Sequence, residues 1–179
     1  MNGYDIPNTY TALGIDISKL GCVMLQVKSP DLSELINPEW AYYSPNLRYA
    51  QGFDKIGDHI TLLYGLLENA NTWKEHVDTV LEGWEPELIE PHYVDHFASA
   101  NGEPYGCIVL KIYKSYNLLD AHNRLSLLPH IDTFPYEPHL TIGYVKEEVV
   151  EEVEWVFEHA FEYVDLEPVG LDYGRPPSS

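Results

Sequence analysis

Four side chains of this sequence have the types and spacing to move protons at phosphorus. His59-Ile60-Thr61-Leu62-Leu63-Tyr64-Gly65 and His139-Leu140-Thr141-Ile142-Gly143-Tyr144-Val145 repeat one pattern, with His, Thr and Tyr in register. An unperturbed imidazole titrates near pH ~6.5, so it can give or take a proton close to neutrality. Two of them can serve as base and acid on opposite sides of one phosphorus. Threonine hydroxyls can donate hydrogen bonds to the non-bridging oxygens as charge builds in the transition state. The scheme calls on neither a metal nor an organic cofactor. A single His-x-Thr is usually an ordinary strand pair; the weight lies in two copies with matched flanks, one in each half of the chain.

Such a pair must sit on strands. Side chains alternate faces along a strand, so His59 and Thr61 share one face while Ile60, Leu62 and Tyr64 take the other. The same alternation sets His139 and Thr141 against Leu140, Ile142 and Tyr144, and it assigns both tyrosines to the core side. Around the motifs, Gly21 to Lys28 reads as a buried strand, followed by a short helical segment near Asp31 to Ile36. Asn37 to Gly57 is rich in Pro, Asn, Tyr and Gly and has no sustained period, which predicts a long loop of the kind that often carries function. Ile60 to Leu67 returns to strand character. Thr72 and Glu75 form a possible capping box for a helix whose apolar stripe is Trp73, Val77, Val80, Leu81 and Trp84.

Leu88 to Phe97 and Gly106 to Tyr113 flank an Asn101-Gly102 turn signal, which predicts a hairpin. The pattern of Leu118, Leu119, Ala121, Leu125 and Leu128 predicts a helix from Tyr116 to Leu128, stopped by Pro129. Pro135 and Pro138 then break the chain before a strand at His139 to Val145. Lys146 to Phe161 carries Val149, Val150, Val153, Val156 and Phe157 on one helical stripe, and a closing strand spans Phe161 to Tyr173. Strands and helices thus alternate in two comparable halves, which favours an α/β or α+β sheet structure. The division expected is an N-terminal extension over 1–20, one domain over 21–174 and a tail over 175–179.

Composition limits the partners. Against 10 Lys and Arg stand 29 Asp and Glu, a formal charge of −19, and such a surface repels the long polyanions that proteins grip by neutralising phosphates. A small substrate is expected rather than duplex nucleic acid. No stretch approaches the roughly 20 apolar residues of a membrane span, and Met1 to Thr9 lacks signal-peptide character. Cys22 and Cys107 lie inside apolar runs and suit buried, reduced thiols. A soluble cytoplasmic monomer is the expectation.

Other residues invite a functional reading. Tyr42, Tyr43 and Tyr49 in the long loop, and Phe134 and Tyr136 before the second motif, have ring faces on which a nucleobase can stack. Packing is the alternative role for each. Arg48, Lys55 and Arg124 are scarce cations that can meet phosphate or pair with carboxylates. His92, Asp95 and His96 have a chelating spacing only on a helix. Pro91 and its β-type neighbours argue against one, so no metal site is assigned. His130 and Asp132 lie in the loop leading to the second motif, as surface or supporting groups.

At the two motifs the sequence resembles the 2H phosphoesterase superfamily, which includes bacterial 2′-5′ RNA ligase-like proteins and cyclic phosphodiesterases. The likeness runs from about Gly21 to Gly174. It implies an α+β fold of two pseudo-symmetric lobes, with antiparallel sheets flanked by helices around a central cleft. It further implies that His59 and His139 are the catalytic pair and that Thr61 and Thr141 bind phosphate. Members of the family cleave or form 2′,3′-cyclic, 2′-5′ or 3′-5′ phosphodiester linkages without a metal. Some viral members destroy cyclic oligonucleotide immune signals, and this chain's size and acidity are compatible with that branch. The alternatives left open are RNA end-processing or 2′-5′ ligation, and a binding protein that sequesters a nucleotide without turnover.

Overall fold

The apolar and alternating runs become strands of eight residues each. They are β1 (Gly21–Lys28), β2 (His59–Leu66), β3 (Pro91–Ala98), β4 (Tyr105–Ile112), β5 (His139–Lys146) and β6 (Glu167–Gly174). The computed structural model describes residues 20–54, 56–67, 73–131 and 135–174. Among these the strands form two three-stranded antiparallel sheets, ordered β2-β1-β6 and β3-β4-β5. Three α-helices accompany them: α1 (Lys74–Val80), α2 (Tyr116–Leu125) and α3 (Val150–Ala160). Helix α2 packs on β2, α1 packs on α2, and α3 covers β3 and β4. The architecture is α+β, with one motif strand at the edge of each sheet.

One apolar core joins the two sheets. It takes Val23, Leu25 and Ile60 from the first sheet, Ile108, Leu110 and Leu140 from the second, and Leu118, Ala121, Val153 and Phe157 from the helices. Truncating a fully buried Leu or Phe in such a core costs about 2 to 5 kcal/mol. Between β3 and β4 the Asn101-Gly102 turn forms as the sequence predicts, with Gly102 at φ +80°. Cys22 and Cys107 are buried and form no disulfide among the described residues. No helix among the described residues is long and apolar enough to cross a membrane.

Helix α1 has Trp73 as its N-cap with no side-chain cap, and Thr72 of the expected capping box lies outside the described residues. Three expectations are corrected. The closing strand begins at Glu167 rather than Phe161, because Phe161 caps α3 and the chain then turns through Tyr163 at φ +62°. Helix α2 ends at Leu125 because Leu127 and Leu128 turn back onto the Arg124 and Leu125 carbonyls. The Asn37 to Gly57 segment is partly a fitted edge: Tyr42 N–H donates to Tyr144 O at 3.0 Å and Tyr144 N–H to Gly52 O at 2.9 Å. These bonds cover the outer edge of β5, which would otherwise expose unpaired amides.

Candidate active site

The two motif strands lie against each other at the ends that carry the histidines. Gly57 N–H, just before β2, donates to Thr141 O on β5 at 2.6 Å. Both strands begin on their histidine, and in both His and Thr are half-buried between buried apolar neighbours. His59 and His139 are close enough that the charge of one acts on the other.

Register gives the two strands a shared irregularity. On β1, Gln26, Met24 and Cys22 alternate onto one face, and their partners on β2 are His59, Thr61 and Tyr64. On β4, Lys111, Val109 and Cys107 likewise pair with His139, Thr141 and Tyr144. A bulge after each threonine inserts one residue, Leu62 or Ile142, and so turns Tyr64 and Tyr144 onto the face of the two histidines. The expectation that both tyrosines point away from the histidines is therefore corrected, because simple alternation fails across a bulge. Tyr144 is nonetheless buried, in a small cluster with Ala50, Tyr105, Cys107 and Val109.

Each imidazole is held by its Nδ1. His139 Nδ1 donates to Glu137 O at 2.9 Å, and His59 Nδ1 to the Asp58 carboxylate at 3.1 Å. Carbonyl and carboxylate oxygens accept only, so in the neutral tautomer each ring keeps its Nε2 lone pair. Packing around the His139 ring holds its pKa below the ordinary imidazole value, since burial penalises the charged form. The Glu137 carbonyl opposes that shift, while Lys111 and His59 add to it. Thr61 is in hydrogen-bond contact with the Cys22 thiol, whose pKa burial pushes up to about 12, so the thiol stays protonated and inert.

Residues 35–171 match the family model of the 2′-5′ RNA ligase superfamily. The chain belongs to this superfamily, that of the 2H phosphoesterases. No curated protein matches it.

The remaining residues singled out in this 2H phosphoesterase chain fall in several places. Tyr42 donates to Glu103 Oε1 at 3.0 Å and packs on Tyr105, and Tyr49 packs on Tyr144, so both rings line the small cluster. Tyr43 is 59% exposed. Tyr136 lies flat on His122, ring centroids 4.0 Å apart, with its hydroxyl buried and without a hydrogen-bond partner among the described residues. His122 Nδ1 in turn donates to the carbonyl of the bulge residue Leu62 at 2.7 Å, which makes Tyr136 a prop for the β2 bulge. Phe134, Lys55 and Asp132 lie outside the described residues.

Arg48 is exposed, and Arg124 pairs with Asp120 while donating to the Val80 and Glu82 carbonyls. His130 Nδ1 donates to Leu128 O. His92 and His96 lie on a strand, and His92 meets Tyr93 and Tyr113 edge to face. His96 instead meets Glu154 of α3 at 2.8 Å, and with Asp95 these offer ligand atoms within 4.8 Å of one another. The sequence reading passed over that three-residue group because Glu154 comes from a distant helix.

Two residues close to His139 also escaped the sequence reading. Lys111 is only 8% exposed, and its Nζ lies 2.8 Å from Glu137 Oε2 and 4.7 Å from the centroid of the Phe97 ring. Phe97 meets His139 edge to face at 5.2 Å. The available signal was a lone charge inside the otherwise uncharged run Tyr105–Ile112.

Proposed function

We propose that this chain is a phosphodiesterase of small nucleotides, with cyclic oligonucleotides and 2′,3′-cyclic phosphates as its substrate classes, and that it works without a metal. His59 and His139 form its acid–base pair, and Thr61 and Thr141 donate to the phosphoryl oxygens. The observation that carries this reading is the equivalence of two bulged strands that each offer an imidazole beside a hydroxyl. A water or ribose hydroxyl attacks phosphorus, one histidine takes its proton, and the other histidine protonates the leaving oxygen. The P–O bond to the leaving group breaks as the new one forms, and solvent returns the two rings to their starting states. Each positioned proton transfer is worth roughly 10² to 10⁴ in rate.

The charge of −19 favours a short substrate over long RNA. Tyr43 is the loop ring with an open face for a nucleobase, while Tyr42, Tyr49 and Tyr136 serve mainly to shape the wall. Two buried cysteines outside any disulfide fit a reducing, cytoplasmic setting. In a viral setting the same activity would remove a host's cyclic oligonucleotide signal.

The superfamily's own name favours a second reading, RNA end-processing or 2′-5′ ligation. One experiment separates the two. Purified protein in excess EDTA is offered 2′,3′-cyclic nucleotides, linear 2′-5′ and 3′-5′ dinucleotides, cyclic di- and trinucleotides and RNA with defined ends, with products read by mass. Cleavage of the small or cyclic substrates supports the proposal. Activity on RNA ends alone favours the second reading, and tight binding without turnover points to a sequestering protein. Activity that EDTA abolishes and zinc or manganese restores overturns the metal-free scheme.

A further inference from the structure

The two half-sites are equivalent in backbone but differ in the residue that faces each histidine across the sheet. Opposite His59 stands Gln26, which is exposed; opposite His139 stands Lys111, which is buried. A buried ammonium is costly unless paired, and here the described partner is one carboxylate that is itself 57% exposed. Glu137 acts twice: its carboxylate holds Lys111 at 2.8 Å and its carbonyl accepts from His139 Nδ1 at 2.9 Å. Phe97 closes the ring of contacts, lying under the ammonium and edge-on to His139.

We propose that Lys111, held by Glu137, is a positioning residue that keeps His139 neutral as the base and so leaves the acid role to His59. The proposal deepens the two-histidine reading and rests on it. A fixed positive charge beside an imidazole opposes its protonation, and the Glu137 carbonyl leaves Nε2 as the proton acceptor. At His59 the same position is an uncharged amide, and the Nδ1 partner is a carboxylate that can balance an imidazolium. The charged groups that face His139 are Lys111 from β4, His59 with its partner Asp58 from β2, and Glu137 with Lys114 near it. From β3 comes the uncharged Phe97, while the Asp95 carboxylate accepts from the His96 amide.

The test is an NMR titration of the His139 ring in the substrate-free protein, alongside the pH profile of turnover, for Lys111→Met, Lys111→Arg and Glu137→Gln. The exposed Glu137 carboxylate makes Glu137→Gln the variant least prone to misfold. Removing the cation in Lys111→Met should shift the His139 midpoint to higher pH, and the acidic limb of the rate profile should follow it. Glu137→Gln should shift both to lower pH, and Lys111→Arg should leave them near wild type. A purely structural role would not give opposite shifts for the two partners of one ion pair. Unchanged midpoints, or shifts of the same sign in Lys111→Met and Glu137→Gln, would overturn the proposal. The titration needs no substrate: if the midpoints move as expected while no phosphodiester is cleaved, the positioning device stands and the phosphodiesterase reading fails.

Discussion

Gly57 is the point where the two half-sites are set against each other, and Gly57→Ala tests how closely that fit matters. The residue is buried, its N–H donates to Thr141 O at 2.6 Å, and its own carbonyl accepts from Ser29 Oγ at 2.9 Å. A Cβ there would press on Thr141 O well inside van der Waals contact and would lie 2.6 Å from Leu140 Cγ. Ordinary carbon contacts need about 3.5 to 4.0 Å, so relief requires β5 to move by about 1 Å relative to β2. The nearest atom is backbone and belongs to one of the threonines assigned to the phosphoryl group, so no rotamer change removes the conflict. Overpacking of this kind costs about 1 to 3 kcal/mol. At roughly 2 to 4 °C per kcal/mol for a chain of this size, the melting temperature should fall by about 2 to 12 °C. A misplacement of about 1 Å between reacting groups can cost on the order of 10²-fold in rate. Gly170→Ala is the control, because a Cβ there meets nothing within 4 Å. Calorimetry and turnover of the substrate found in the screen provide the readouts. A Gly57→Ala protein that matched wild type in both, as Gly170→Ala should, would refute the idea that close contact between β2 and β5 sets the site.

Replacing His59 or His139 by Ala should each lower turnover by roughly 10² to 10⁴-fold, and the double variant should lose far less than the product, since the two act as a unit. Thr61→Ala and Thr141→Ala should cost less than the histidines, with His92→Ala as a neutral control; a folded His139→Ala protein of normal turnover would rule the mechanism out. The Glu103 carboxyl is held below its ordinary range, first by the Ser44 hydroxyl; desolvation is the next largest effect and opposes the shift, and hydrogen bonds from Asn101 and Tyr42 add to the lowering. Its folded pKa is depressed, so its contribution is present above the unfolded value and is lost as pH falls through the folded one. Hydrogen exchange over Tyr42 to Gln51 should accelerate in that acidic window and, at neutral pH, in Glu103→Gln; equal protection in the variant would show that this carboxylate does not pin the loop.

Much of the site could be read from residue order alone. Period-two alternation put His59 with Thr61 and His139 with Thr141 on common faces, and apolar runs placed every strand but the closing one to within a few residues. Those are local properties, fixed by how a chain alternates and by what each stretch must bury. The positions of Tyr64 and Tyr144 were not legible, because a bulge is decided by the register between two strands and leaves no mark in either one alone. The weight of Lys111 was hidden for a similar reason: a lysine in an apolar run shows its function only when the fold supplies a carboxylate from before β5, a ring from β3 and a histidine across the sheet. The long loop read as irregular because part of what orders it comes from β5, about a hundred residues away, and from Glu103, and segment composition carries no record of such distant partners.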